Sequence, residues 1–379
     1  MRKPMRLVFC ALLQSRDMRM LITSLLGIFL AAARGEDIGD SFKVGAGEWS
    51  ASTGFGYREN VLFSEIAPVD SPFIFAGVEG ITSHEFIETS AEWTTMLLLD
   101  NYHFTKASDL PDETFGLLLS EYGRYVTIDG RLSSGLQYVY FKQAFDATFD
   151  VLDPYQIVLT GQEPKLYVDW KAFFWQFEYQ ATVGASRMYF KNPTNDYETI
   201  DWELALDYLL GEESRVLLTA NGHARDYTDR LARTLSGTRV DSIVLGEDQM
   251  GIELAYERPF GFLGVMGELE LGIDFEARRN RHFGYYDRDS LKYGLEWSGG
   301  GERWDFSLDL RYAQRDYLFQ TVDDGSLRTS DEWIWMVDLE RELSDHWGLF
   351  LTLNRDQSDS NETFFSYDAN SVMLGLRLK

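Results

Sequence analysis

A chain of 379 residues is long enough for two average soluble domains or for one large all-β domain, and a mean hydropathy of −0.25 excludes a bundle of transmembrane helices. Its 61 acids against 35 bases give a net charge of −26, which disfavours nucleic acid and anionic membrane surfaces as partners. Abundant glycine, scarce proline and 15% aromatic residues stay compatible with a β-barrel that has a wet interior.

The N-terminal run Leu21 to Ala33 follows Arg16 and Arg19 and closes on small residues, the pattern of a secretory signal cleaved after Ala33 or nearby. It is too short to span a bilayer, which takes about 20 apolar residues. Residues 1–17 read as an over-long start, with Met18 or Met20 as alternative initiators. The sole cysteine, Cys10, lies in this leader, and Phe9 before it is not the small residue a lipobox requires. Without residues 1–33 the chain keeps 30 bases and 60 acids, a net charge of −30, and no cysteine. That suits an exported protein with neither disulfides nor thiol-bound metal. The expected organisation is a signal peptide at 1–33, a short periplasmic segment at 34–43 and one barrel domain at 44–379.

From Trp49 onward apolar and polar residues alternate, and the blocks predict strands near 44–58, 71–82, 86–105, 111–126, 130–147, 155–172, 174–191, 196–211, 213–228, 245–260, 262–281, 285–298, 301–317, 330–343, 345–359 and 365–379. The eighth is typical: Asp201, Glu203 and Asp207 alternate with Trp202, Leu204, Leu206 and Tyr208, so a strand has one charged face and one oily face, whereas a helix would mix them. A soluble sandwich buries its oily faces with strands of about five or six residues. These blocks are longer, and they meet the nine to eleven tilted residues that cross a hydrocarbon core. The expected fold is all-β: a transmembrane antiparallel up-and-down β-barrel of about 16 strands. Short turns alternate with longer loops, chiefly those spanning 229–244 and 321–330, as periplasmic turns and external loops do. Pro164 in the sixth strand predicts a bulge. Strands three and four, with TTMLLLDNY and FGLLLSEY, are apolar on both faces, which predicts something packed against them inside the lumen.

Aromatic residues mark the strand ends. Trp202, Trp297, Trp304, Trp333, Trp335 and Trp347 are assigned to short turns or strand starts, and Tyr57, Tyr102, Tyr189, Tyr227 and Tyr312 to the loop side, as two interfacial girdles. The first strand and its sequel, GFGYRENVLFSE, carry Gly56, Tyr57, Asn60 and Val61 in a GY-x-x-N-V pattern. Over its mature length the chain resembles Gram-negative outer-membrane β-barrel proteins. That opening is similar to the barrels of surface lipoprotein assembly modifiers and of exopolysaccharide gene clusters, without the tetratricopeptide domain that precedes the former. The last strand, SYDANSVMLGLRLK, resembles the segment read by the barrel-assembly machinery, and departs from it by ending in Lys379 rather than an aromatic residue.

Inward positions of strands eight to fourteen include Asp201, Glu203, Asp207, Glu253, Glu257, Glu268, Glu270, Asp274, Glu296, Asp305, Asp309 and Asp338, opposed by Arg215, Arg225, Lys292, Arg311 and Arg341. Rings of carboxylates favour cations in a pore, so the first expectation is a porin-like passive channel with an acidic, cation-preferring lumen for small cationic or neutral solutes. Arg230, Arg233 and Arg239 sit in the longest external loop and are candidates for a constriction that sets arginines against the acidic wall, or for exposed contacts with anionic surface polysaccharide. The alternatives are a structural, adhesive or surface-assembly barrel without transport, and a barrel hydrolase. The last is disfavoured because no G-x-S-x-G, H-E-x-x-H or phosphate-binding glycine loop occurs, and only His103 and His223 approach the upper wall, near Asp100 and Asp226. No enzyme activity, cofactor or metal is expected. The expected partners are outer-membrane lipid, lipopolysaccharide and, during biogenesis, the assembly machinery.

Overall fold

The computed structural model describes residues 43–379, except 67, 87–89, 107–110, 147–155, 212 and 263–264, so the signal-peptide reading lies outside the described residues. Sixteen strands follow in order: β1 Lys43–Arg58, β2 Ser71–Phe86, β3 Ala91–Phe104, β4 Glu113–Thr127, β5 Gly130–Asp146, β6 Gln156–Phe174, β7 Phe177–Phe190 and β8 Tyr197–Leu210. The second half comprises β9 Ser214–Arg233, β10 Arg239–Phe262, β11 Val265–Asn280, β12 Arg288–Gly300, β13 Trp304–Thr321, β14 Leu327–Ser344, β15 Trp347–Ser360 and β16 Tyr367–Leu378. Each pairs antiparallel with its sequence neighbours, and β1 closes on β16 from Ala51↔Leu378 to Arg58↔Ser371. Closure leaves no unpaired edge, which a spanning sheet in lipid requires.

The alternation that forms the strands also sorts their faces. In β2, Ser71, Phe73 and Phe75 are buried while Pro72, Ile74 and Ala76 between them are exposed. Carried through the register, one face holds exposed Ile74, Leu204, Leu218, Leu254, Leu271 and Leu374, and the other holds the ion pairs. The exposed apolar face is the lipid face, and the paired face is the lumen. Connections alternate in length. Ile128–Asp129, Trp175–Gln176 and Asp345–His346 are two-residue turns on the side of the chain ends, and 59–70, 281–287 and 361–366 are loops on the other.

Four sequence expectations need correction. The segment 229–244, read as a long loop, is mostly strand: β9 and β10 extend past the barrel wall and turn at Thr234–Thr238, with Gly237 in the left-handed region at φ 80°. Its contacts set arginines over tyrosines, Arg230 and Arg233 among them, so no apolar period marks it. Pro164 makes no bulge, because it stays in register opposite Tyr138 and the β6–β7 ladder merely lacks pairs at 163 and 164, where proline cannot donate. Tyr102 and Tyr227 are not girdle residues; both face the lumen and are packed there. The outer loop-side belt does include Tyr312, whose ring lies 4.5 Å from that of Trp333, which places this tryptophan at the loop end and not beside a short turn.

This facing has a direct energetic consequence. Arginine at Leu206 or Leu308, mid-strand on the lipid face, is expected to destabilise the folded barrel by about 2–4 kcal/mol in lipid, and arginine at Asp207 or Asp309 by much less. Reversible unfolding in vesicles measures the difference, and equal costs on the two faces would shift the register by one residue.

Candidate functional site

The lumen has two chemically different walls. On β8–β13 the inward positions are charged. Glu257 stands opposite Glu270, Glu270 opposite Glu296, and Glu296 opposite Asp309, a row of four carboxylates in register across β10–β13. Like charges directly opposite on neighbouring strands destabilise a sheet, so this row persists because water and flanking bases screen it. Arg215 closes one end by ion-pairing with Glu257 and reaching Asp207 at 3.5 Å. Arg311 closes the other, 2.7 Å from Asp309 and 2.9 Å from Glu296. Toward the loop side, Glu253 faces Asp274, and Lys292 bridges Asp274 at 2.8 Å and Glu276 at 2.9 Å. Asp201 is bound by Lys165 at 2.7 Å, and Asp338 accepts the Thr352 hydroxyl at 2.5 Å. Glu203, Glu253 and Glu270 have no ion-pair partner within 4 Å among the described residues. Glu268 lies one inward position from Glu270, Asp305 stands opposite Glu340, and Arg225 stacks over Tyr197 at 4.2 Å.

All of the acids singled out from the sequence, with Arg215, Arg225, Lys292 and Arg311, therefore stand on the inner face. Arg341 does not. It pairs with Trp304 on the outer face and lies 5.1 Å over that ring at the short-turn rim, where an arginine can snorkel to the headgroups. Arg230 sits 5.1 Å over each of the Tyr227 and Tyr286 rings, and Arg233 lies 5.7 Å over Tyr285. With Arg239 they line a cavity of about 500 Å³ at the loop-side mouth, against tyrosine rather than against the acidic row. The two histidine pairings suggested by sequence proximity are separated by the wall. His103 is exposed and bonded to Asp112 at 2.8 Å while Asp100 faces inward, and His223 faces inward while Asp226 binds Arg281 at 2.5 Å outside.

The opposite wall, β1–β5 with β14–β16, mixes ion pairs with an apolar patch, and the first loop folds onto that patch. Asn60 takes the left-handed region at φ 52°, its backbone N–H donates to Asp70 at 2.9 Å, and its side chain donates to the Asp368 carbonyl at 3.0 Å and accepts from the Ser64 N–H at 2.8 Å. These bonds turn the chain inward, so Val61 and Leu62, at 0% and 2% exposure, pack against Phe73, Phe75, Phe104 and Phe350. Phe63 meets Phe145 on β5 and Tyr367 on β16, at 6.2 and 5.2 Å. The sequence expectation was a cover over the two-sided apolar strands three and four; the loop instead packs on β2, β15 and the loop-side end of β3, where Tyr102 and Phe104 stand. In the sequence Asn60 and Val61 stand out only as a motif, and an asparagine before an apolar pair just past a strand end is the readable cue to their role. Lys165, Asp169 and the Arg58–Glu113 pair at 2.6 Å were missed, though the alternation in EPKLYVDWK places Lys165 and Asp169 on one face.

The chain's sequence matches no known family profile and no curated protein. Solved structures do align with it. OccAB4 of Acinetobacter baumannii shares 8% identity at a TM-score of 0.50, covering 88% of this chain and 98% of that one. OccK2 (OpdF) of Pseudomonas aeruginosa shares 11% at 0.44, over 88% and 97%, and a BenF-like porin of Pseudomonas fluorescens Pf-5 shares 9% at 0.46, over 88% and 98%. At such identities the likeness concerns fold. What the chain shares with these outer-membrane proteins is the closed barrel fold, here of sixteen antiparallel strands with an apolar outer face.

If the Asn60 turn holds the first loop by its apolar pair, Leu62→Asp should release it, because a charge cannot stay unpaired in that cluster. A glutamate-specific protease is then expected to cut the folded variant at Glu65 many times faster than the native barrel. Equal cleavage rates would show that the loop is not anchored there.

Proposed function

We propose that this barrel is a passive channel of the outer membrane whose acidic wall prefers small cations. The observation that carries the reading is the in-register row Glu257, Glu270, Glu296 and Asp309, continued by unpaired Glu253 and Glu203. Four carboxylates held side by side, with bases only at the ends of the row, leave a negative stretch of wall, and such rings favour cations in a pore. A barrel of sixteen strands is wide enough for an aqueous path past the inward loop. Lipid and lipopolysaccharide are its surroundings in this reading, and the permeant is a small cationic or neutral solute.

Reversal potentials in a KCl gradient across a planar bilayer test this. Cation selectivity is expected, weakening as the Debye length falls from about 10 Å at 0.1 M salt to about 3 Å at 1 M. The triple variant Glu203→Gln, Glu253→Gln, Glu270→Gln removes three acids without orphaning a base, so it should move the reversal potential toward zero while migration remains heat-modifiable. A folded barrel that conducts nothing would overturn the channel reading in favour of a structural or assembly barrel, and an anion-selective one would overturn the cation preference.

A further inference from the structure

Beneath the inward loop lies a cavity of about 680 Å³ that the acidic row does not reach, within the roughly 300–1,000 Å³ range of sites for small organic ligands. Its apolar side is Phe75, Leu98, Tyr102, Met336, Phe350 and Met373. Three of these are aromatic: Phe75 lies 5.0 Å from Tyr102 and 6.4 Å from Phe350, and the Val61–Leu62 cluster closes over them. Glycine shapes this side. A Cβ at Gly375 would overlap the Phe350 ring, so this ring lies flat on the wall beside the cavity.

The polar side of the cavity is acidic. Asp338 is occupied by the Ser307 and Thr352 hydroxyls, and Arg377, the sole base in the lining, binds Glu340 at 2.7 Å and approaches Glu79 at 3.8 Å. Asp100 and Asp305 have no hydrogen-bond or ion-pair partner among the described residues. The Asp100 carboxylate lies over Gly77, next to Tyr102 and Phe75.

Each class of occupant meets these two sides differently. A hydrated metal cation gains nothing from the aromatic side, an anion faces more carboxylates than bases, and a neutral apolar molecule would leave Asp100 desolvated and unpaired. A compact organic ammonium with an aromatic or alkyl body satisfies both sides. Its charge lies beside Asp100 and over the ring faces, where cation–π attraction adds to the Coulombic one, and its body replaces water on Phe350, Met336 and Met373. We propose that this cavity binds such organic cations. The assignment rests on the cation-preferring channel reading and names the class of solute that would dwell there.

Isothermal titration of the purified, folded protein in non-ionic detergent, with a micelle blank, tests it with benzyltrimethylammonium as the probe. Tetramethylammonium lacks the apolar body and benzenesulfonate reverses the charge. Saturable binding is expected for benzyltrimethylammonium only, weakened roughly tenfold or more by Asp100→Asn. Phe350→Leu should weaken it as well, with heat-modifiable migration showing that both variants are folded. Equal binding of benzenesulfonate, no gain over tetramethylammonium, or an unchanged affinity in Asp100→Asn overturns the proposal. Selectivity in a KCl gradient is read without the probe. Absent binding with intact selectivity therefore overturns this site alone, and binding without conductance overturns only the channel reading.

Discussion

Backbone hydrogen bonds with nowhere else to go are the constraint on which this molecule depends. Hydrocarbon offers no partner to an exposed N–H or C=O, so every spanning strand must be paired on both sides, and the sheet must return to its first strand. The β1–β16 ladder makes that return. On the other side of β16, toward β15, the Lys379 backbone N–H donates to the His346 carbonyl at 2.9 Å, and the Lys379 ammonium lies 2.9 Å from Glu340. With the ladder closed, the side-chain period of two leaves each strand one face for lipid and one for the lumen.

The lipid face is held to a narrow chemistry, while the lumen face is free to carry charge. Opposed carboxylates on β10–β13 would weaken an ordinary sheet, and they are tolerated here because closure supplies the stability and the lumen supplies water. The same freedom allows the other wall to carry an apolar patch among its ion pairs, provided something covers it. The loop turned by Asn60 covers its upper part, and the space below that loop keeps one aromatic side and one acidic side.

The sequence made the fold legible because long strands repeat one rule. All sixteen were recognised, and in β8 the alternation from Asp201 to Tyr208 assigned each residue its face. Legibility fails where the two-solvent rule stops. Past the barrel wall the β9–β10 hairpin sets arginines over tyrosines instead of apolar residues against lipid, so its strands looked like loop around Arg230 to Arg239. At the short-turn rim Arg341 obeys headgroup chemistry and was misread as a lumen base. The first loop was missed because its inward course depends on Asn60 reaching Asp368, 308 positions away, and the local cue is only an asparagine before an apolar pair.

The central claim is that one face of each strand meets water and the other lipid, with Glu270 pointing inward and Leu271 outward on β11. Residues 43–379 contain no cysteine, so single substitutions in the barrel report directly through a water-soluble maleimide applied to it in lipid vesicles. Glu270→Cys, on the lumen face, is expected to label readily, and Leu271→Cys, on the lipid face, to stay unlabelled until the barrel is unfolded. Rapid labelling at 271 with protection at 270 would contradict the account.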